Sequence, residues 1–463
     1  MNNAIDSFKH KVNTMKNQHI ARTIKIKNNR SGNLANKYNV ILISIDTLRA
    51  DHLSCYGYER NTSPYIDEFS QRCALFTNAF STSAWTVPAH ASLFTGMYAS
   101  RLGLVQSPRP GILPEEIKTL AEILNQSGYN TAGFHGGGYV SANFGFNRGF
   151  STYRSKGSRF EDNLRDCFGW LERHKKLPFF LFLHGFNCHV PFNPPRKFDI
   201  YSKGMRSTYN TNRKSIYAWE PLKNKEDLEF IIAKYDGEIK YTDFLIKKVV
   251  QKLEELHLIE KTIIIITSDH GEEFMEHGQL GHIRTLYEEL IRIPLLVYIP
   301  FINSGKKIDK VVSLVDIPAT ILEILDAKYK HTSDGRSLLS LIKTSTHNST
   351  SFVISETGKD PNKNIGDLPP RLGYEVPEFI RCVRTNEWKL ILDKDNNPIE
   401  LYCISKDPKE RENVCNLELS MRDELYKLSK NLNLKSFREM KTIKESDINI
   451  DKIKHQLVAL GYM

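Results

Sequence analysis

No run of about 18 apolar residues occurs in the chain, so no membrane-spanning helix is expected. Cysteine is scarce: Cys55, Cys73, Cys167, Cys188, Cys382, Cys403 and Cys415 make an odd total of seven, and none sits in a C-x-x-C pair. That pattern indicates neither a disulfide framework nor a structural zinc site, and free thiols fit a reducing compartment. The N-terminal stretch is basic but lacks the apolar core and small-residue cleavage site of a secretory signal, so a cytoplasmic location is expected. Internal repeats are missing. No basic stretch carries the interleaved aromatics of a nucleic-acid reader, so no specific nucleic-acid partner is expected.

What is present is an ordinary globular composition, with 40% hydrophobic and 25% charged residues over 463 positions, enough chain for two domains. The net charge of +10 is uneven. Residues 1–38 hold eight Lys or Arg against the single acid Asp6, a net of +7. This segment reads as a basic, disordered extension that can contact anionic surfaces.

From residue 39 the pattern alternates strand and helix. Val40–Ile45 is a short, mostly β-branched run ending at Asp46. Thr119–Gln126 reads as a helix followed by a strand, Asn130–Phe134. Phe179–Leu183 is apolar throughout and ends at His184, and Lys240–Leu256 has helical spacing. Thr262–Ile266 runs into Ser268-Asp269-His270, and Pro294–Ile299 is a further apolar run. Continuous apolar strands between helices imply a parallel sheet covered on both faces. The expected fold class is therefore α/β, an α/β/α sandwich with a mostly parallel central sheet. Ligands in such folds sit beyond the carboxyl ends of the strands, where Asp46, His184, Asp269 and His270 fall. The catalytic domain is expected over residues 39–345. Thr344–Asn364, rich in Ser, Thr, Asn and Lys, reads as a linker. Phe379–Arg384, Trp388–Asp393 and Ile399–Tyr402 then read as a small antiparallel sheet, and Ser420–Lys430 as a helix, giving a C-terminal α+β subdomain over 346–440 before a polar tail, 441–463.

Three segments carry the chemistry. They are Asp46-Thr47-Leu48-Arg49-Ala50-Asp51-His52; Thr86-Val87-Pro88-Ala89-His90 with Ser92 and Thr95-Gly96; and Asp269-His270-Gly271-Glu272-Glu273 with His277, Gly278, Gly281 and His282. Two aspartates and a histidine at strand ends suit a hard or borderline divalent cation. A threonine hydroxyl is a weak nucleophile and needs a metal or a base to activate it. Pro88 and the small residues after Thr86 suggest a tight turn into a helix, whose N-terminus would offer N–H groups to an anion. His90 is close enough in sequence to serve as a base.

Taken in order, these segments resemble the sulfatase family of the alkaline phosphatase superfamily. Asp46 matches the family's first metal ligand, Thr86 through Gly96 follows the frame around its nucleophile, and Asp269-His270 match its later metal ligands. The stretch Gly281-His282 to Leu290, Asp334-Gly335-Arg336-Ser337-Leu338, Val383-Arg384-Thr385 with Trp388-Lys389-Leu390, and Leu401-Tyr402 to Asp407-Pro408 are similar too. The resemblance covers residues 39–415. It implies a divalent cation (Ca, Mn, Zn or Mg) on Asp46, Asp269, His270 and Thr86. It also implies contacts to the substrate's anionic oxygens from His189, in Asn187-Cys188-His189-Val190-Pro191, and from His282.

The departures shape the functional expectation. Family sulfatases oxidise a Cys or Ser to formylglycine at the position held here by Thr86. Threonine cannot give that aldehyde, and its single oxygen cannot expel sulfate by elimination. Thr47, Ala89, His90 and Asn187 also differ from the family pattern. Relatives in the superfamily that use threonine act on phosphorus. The expected activity is metal-dependent hydrolysis or transfer of sulfate or phosphate esters, phosphoesters preferred, with Thr86 forming a covalent ester and His189, His282 and His90 assisting. The expected substrate is a small molecule, a glycan or a lipid headgroup. The alternatives are a true sulfuric ester hydrolase and a catalytically silent binding protein of the same fold.

Overall fold

The computed structural model describes residues 38–105, 111–212, 216, 222–302, 304–327, 333–344, 352–358 and 378–431. The basic extension and the polar tail lie outside them, apart from Tyr38.

The central sheet grows from the apolar runs. β1 (Asn39–Ile45), β2 (Ala74–Phe80), β3 (Asn130–Phe134), β4 (Thr152–Arg154), β5 (Phe179–Gly185), β6 (Thr262–Ser268), β9 (Arg292–Tyr298), β10 (Lys306–Ile308) and β11 (Val312–Ser313) form one nine-stranded sheet. Its order is β10-β2-β9-β6-β1-β5-β3-β4, with β11 also on β2. The pairings are parallel except those of β9, which runs against both β2 and β6. Between β6 and β9 lies a short antiparallel ribbon, β7 (Glu273–Phe274) with β8 (Leu280–Gly281).

Side-chain alternation on the central strands divides the core in two. Val40 and Leu42 of β1, Phe180 and Phe182 of β5, and Ile263 and Ile265 of β6 face one layer. Ile41, Ile43, Leu181, Leu183, Ile264 and Ile266 face the other. Both faces are dry because helices cover them, which is why these strands read as unbroken apolar runs. On the first face lies α2 (Thr86–Thr95), buried along its whole length. It follows α1 (Pro64–Ser70) and precedes α3 (Leu120–Gln126), a helix with a capping box from Thr119 and Glu122. The second face is covered by α4 (Phe160–His174) and the long α5 (Lys225–Glu255). Further on comes α6 (Asp316–Ile324). Among the described residues no helix is long and apolar enough to cross a membrane.

β12 (Val353–Thr357), β13 (Ile380–Arg384), β14 (Trp388–Leu392) and β15 (Pro398–Cys403) form the small antiparallel sheet, with α7 (Leu419–Asn431) packed on it through Leu425. The expected linker is corrected here: its residues 353–357 are a fully buried strand, paired with β13. The small sheet shares an apolar cluster with the large one, through Phe80, Leu290, Val311, Val353, Cys382 and Tyr402.

Candidate active site

Parallel register brings the site together. Ile45 of β1 stands opposite Gly185 of β5 on one side and Ser268 of β6 on the other. Asp46, His184 and Asp269-His270 therefore leave the sheet at the same edge. Thr47, at φ +55, takes the left-handed conformation that is costly for a β-branched residue. In that turn its N–H reaches Asp269 Oδ1 at 3.2 Å. Tyr235, from α5, braces the same loop: its hydroxyl donates to the Thr47 carbonyl at 2.7 Å and accepts the Arg49 N–H at 2.9 Å.

Helix α2 delivers Thr86. Its first intrahelical bond is Ala89 N–H to the Trp85 carbonyl, and Pro88 has no N–H, so the amides of Thr86 and Val87 head the helix without intrahelical acceptors. Their positive end adjoins the carboxylates. Thr86 Oγ1 lies 3.3 Å from Asp46 Oδ2 and 3.5 Å from His270 Nε2. At the other end Gly96 closes the helix at φ +69, and its carbonyl accepts Asp334 N–H at 2.8 Å and Ser333 Oγ–H at 2.9 Å. A Cβ on Gly335 would come 1.9 Å from the Val315 carbonyl oxygen. The Asp334-Gly335 motif thus anchors the helix that carries Thr86.

The charged groups are all buried. Asp269 Oδ1 accepts the N–H groups of His270 at 2.9 Å and Thr47 at 3.2 Å, while Oδ2 has no hydrogen-bond donor. Burial, and then the neighbouring Asp46 carboxylate, push the Asp269 carboxyl upward. His270 Nδ1 faces the Gly271 carbonyl at 2.8 Å, so Nδ1 carries the proton and Nε2 presents a lone pair. Ligand atoms of Asp46, Asp269 and His270 all lie within 4.8 Å of one another. Two buried carboxylates, one with an orphaned oxygen, beside an outward lone pair fit a divalent cation, which would remove the like-charge penalty.

The other expected residues divide. His90 meets the main chain of Thr86, not its hydroxyl: Nδ1 is 2.9 Å from the Thr86 carbonyl oxygen and Nε2 is 3.2 Å from Ser44 Oγ. Burial lowers its pKa to about 4, so the ring is neutral near pH 7. His282 lies beside His270, with ring centroids 4.5 Å apart, and its Nδ1 is 3.2 Å from Glu272 Oε1. His189 is the next ring, 5.2 Å from His282, with Nδ1 held 2.6 Å from the Val190 carbonyl oxygen. His135, 4% exposed, stacks on Tyr153 with ring centroids 4.1 Å apart. Phe144 and Phe146 are core. Asn187 is turned to α4: its Oδ1 accepts Phe160 N–H at 2.6 Å and its amide donates to Glu161 at 2.8 Å.

Two contributors had not been singled out for a role. His184 Nε2 is 3.6 Å from Asp46 Oδ2, with Nδ1 accepting the Gly136 N–H at 3.3 Å, and burial lowers its pKa to about 4. Ser44 meets His90. For His184 the signal was its place at a strand end; for Ser44 there was none, because its partner comes from another element 46 residues away.

The sulfatase family model matches residues 38–327. The chain belongs to the sulfatase family. Human arylsulfatase K is 26% identical over 439 residues, spanning 81% of this chain and 78% of that protein. A putative sulfatase structure from Bacteroides thetaiotaomicron superposes with a TM-score of 0.71 at 20% identity, covering 89% of this chain and 96% of the other. The phosphonate monoester hydrolase of Agrobacterium radiobacter superposes with a TM-score of 0.68 at 21% identity, covering 86% and 95%. Family membership makes the chain a sulfatase-type hydrolase. The α/β sandwich with its mostly parallel sheet and C-terminal antiparallel subdomain is the architecture of this sulfatase-family fold.

Proposed function

We propose that this sulfatase-family chain cleaves phosphate esters, with sulfate esters as the second reading, through attack by Thr86. The observation that carries the proposal is the place of Thr86 Oγ1, 3.3 Å from Asp46 Oδ2 and 3.5 Å from His270 Nε2 at the head of a buried helix. Asp46, Asp269 and His270 would hold the divalent cation, with Thr86 beside it, and a nitrogen donor in the set suits Zn or Mn better than Ca. When bound, the cation supplies Lewis-acid polarisation and lowers the pKa of a nearby hydroxyl.

The protein's own groups do the rest. Asp46 accepts the Thr86 hydroxyl hydrogen bond and orients Oγ1. The N–H groups at the head of α2 receive the anionic oxygens of the ester. Thr86 Oγ1 gives up its proton towards Asp46 and bonds to phosphorus, the bond to the leaving alcohol breaks, and the alcohol oxygen takes up the proton that Thr86 released. Water then attacks the Thr-phosphate, releasing phosphate and restoring the hydroxyl. His282, with Nδ1 pinned on Glu272, and His189, with Nδ1 pinned on the Val190 carbonyl, direct their remaining nitrogens to the substrate oxygens. His90 has both nitrogens engaged, so we assign it to positioning the first turn of α2.

The sulfate reading draws on the arylsulfatase relatives. The phosphate preference draws on the chemistry of threonine, which has one oxygen and so needs water to resolve its ester. Aryl phosphate, aryl phosphonate and aryl sulfate assayed side by side with Mn or Zn decide between them. Faster turnover of the phosphorus esters supports the preference, and turnover of the sulfate alone rejects it. The seven free thiols, five of them buried, support placing the protein in a reducing compartment.

A further inference from the structure

The β7–β8 ribbon joins the site to the C-terminal subdomain. Glu272 precedes its first strand and His282 follows its second, so its base presents the pair beside His270. Its strands are two residues each, too short to hold a shape by backbone bonding alone. Glu273 organises the tip, its Oε1 accepting the N–H groups of His277 at 3.1 Å and Gln279 at 3.0 Å. From one side Arg49 grips the ribbon, Nη1 donating to the Glu272 carbonyl at 2.8 Å and to Glu276 Oε1 at 2.6 Å.

From the other side the tie is His277. Its Nδ1 is 2.6 Å from Glu289 Oε1 and its Nε2 is 3.2 Å from the Glu410 carbonyl oxygen. A carboxylate and a carbonyl only accept, so both ring nitrogens carry protons. The ring lies flat on Tyr287, centroids 3.6 Å apart. Glu410 is itself fixed: Oε2 accepts Glu288 N–H at 2.7 Å, and Oε1 pairs with buried Lys389 of β14 at 2.7 Å. A continuous polar path thus runs from the ribbon tip into the small sheet.

We propose that His277, as an imidazolium, is a positioning residue that fastens the ribbon carrying Glu272 and His282 to the C-terminal subdomain. The effect on turnover rests on the reading of His282 as a substrate contact; the fastening does not.

The sign of the pH dependence follows from the surroundings. The groups facing His277 are Glu273 and Glu276 on the ribbon, Tyr287, Glu288 and Glu289 before β9, and Glu410 with Lys389 from the C-terminal subdomain. Burial works against the charged ring, but the Glu289 carboxylate outweighs it and raises the pKa above the ordinary 6.5. The fastening is complete below that ordinary value and is lost as pH rises through the raised one. Glu273, which burial and Glu289 push up to about 7, gains negative charge over the same range and favours the imidazolium.

Hydrogen exchange of residues 273–282 in the full chain, corrected for intrinsic rates, tests this. His277→Gln should exchange at least about ten-fold faster across the ribbon. His277→Arg, whose guanidinium can donate to both acceptors, should keep protection and lose its pH dependence between about pH 6 and pH 9. In the unmodified chain, nuclear magnetic resonance of the His277 ring should show both nitrogens protonated at neutral pH, a readout that needs no variant. Unchanged protection in His277→Gln, or a neutral ring, overturns the proposal. So does protection that appears only on adding zinc ion, which would assign Glu273, His277 and Glu289 to a cation. Faster exchange with unaltered ester turnover upholds the fastening and rejects the role given to His282.

Discussion

At the scale of single residues, the site rests on matching side chains to the one partner each can have. Thr86 has a single hydroxyl among acceptors, so Thr86→Ala should lower kcat for an aryl phosphate by roughly a thousand-fold or more, while Thr86→Ser keeps measurable turnover. His184 stands behind Asp46, 3.6 Å from its Oδ2. Its replacement by Ala should weaken divalent-cation binding, read by calorimetric titration, by about 10–100-fold, as for other groups that orient a ligand. The candidate ligands Asp46, Asp269 and His270, whose ligand atoms the structure gathers within 4.8 Å of one another, stand out in the sequence because each lies at the end of an apolar strand, and because their order resembles a family. His184 stands out only for its place, and Ser44 not at all, since the contacts that give them roles join elements distant in sequence. The place of His90 in the sequence suggests a base, but its nitrogens meet a main-chain carbonyl and a serine, a matter of ring orientation that residue type does not reveal.

At the scale of elements, close backbone approach explains the third motif. Gly271 N–H donates to the Leu290 carbonyl at 2.8 Å, and a Cβ at 271 would come 1.9 Å from the Glu289 carbonyl oxygen. Gly271→Ala should therefore cost about 1–3 kcal/mol in a urea titration and also depress activity, because the loop that moves carries His270. Elements are legible in the sequence where apolar content dominates, as in β1, β5 and β6, and are hidden where polar residues mask the period. β12 hides in a Ser- and Thr-rich stretch, yet all five residues are buried. Helix α5 starts at Lys225, fifteen residues before its expected start, because Asn224 caps it at the Asp227 N–H and its first turns are charged.

At the scale of the whole molecule, the C-terminal subdomain is coupled to the site by buried charge as well as apolar contact. Arg384 Nε pairs with Glu288 at 3.0 Å and Lys389 with Glu410 at 2.7 Å, and Lys389 and Glu410 are wholly enclosed at the contact. Lys389→Met should destabilise the fold by about 3–5 kcal/mol, measured by chemical denaturation, because it strands a buried carboxylate. A mostly parallel sheet and a small antiparallel one were legible from strand type and helix alternation. The antiparallel insertion of β9 between β2 and β6 was not, because strand order is set by tertiary packing that no local pattern encodes. The hydroxyl of residue 86 offers the most direct test. Protein loaded with Mn or Zn should be mixed with an aryl phosphate, quenched in acid within the first turnover, and its peptides read by mass spectrometry. A phosphoryl group on Thr86 that forms and decays at the rate of turnover is the expected result; full metal-dependent turnover by Thr86→Ala would contradict it.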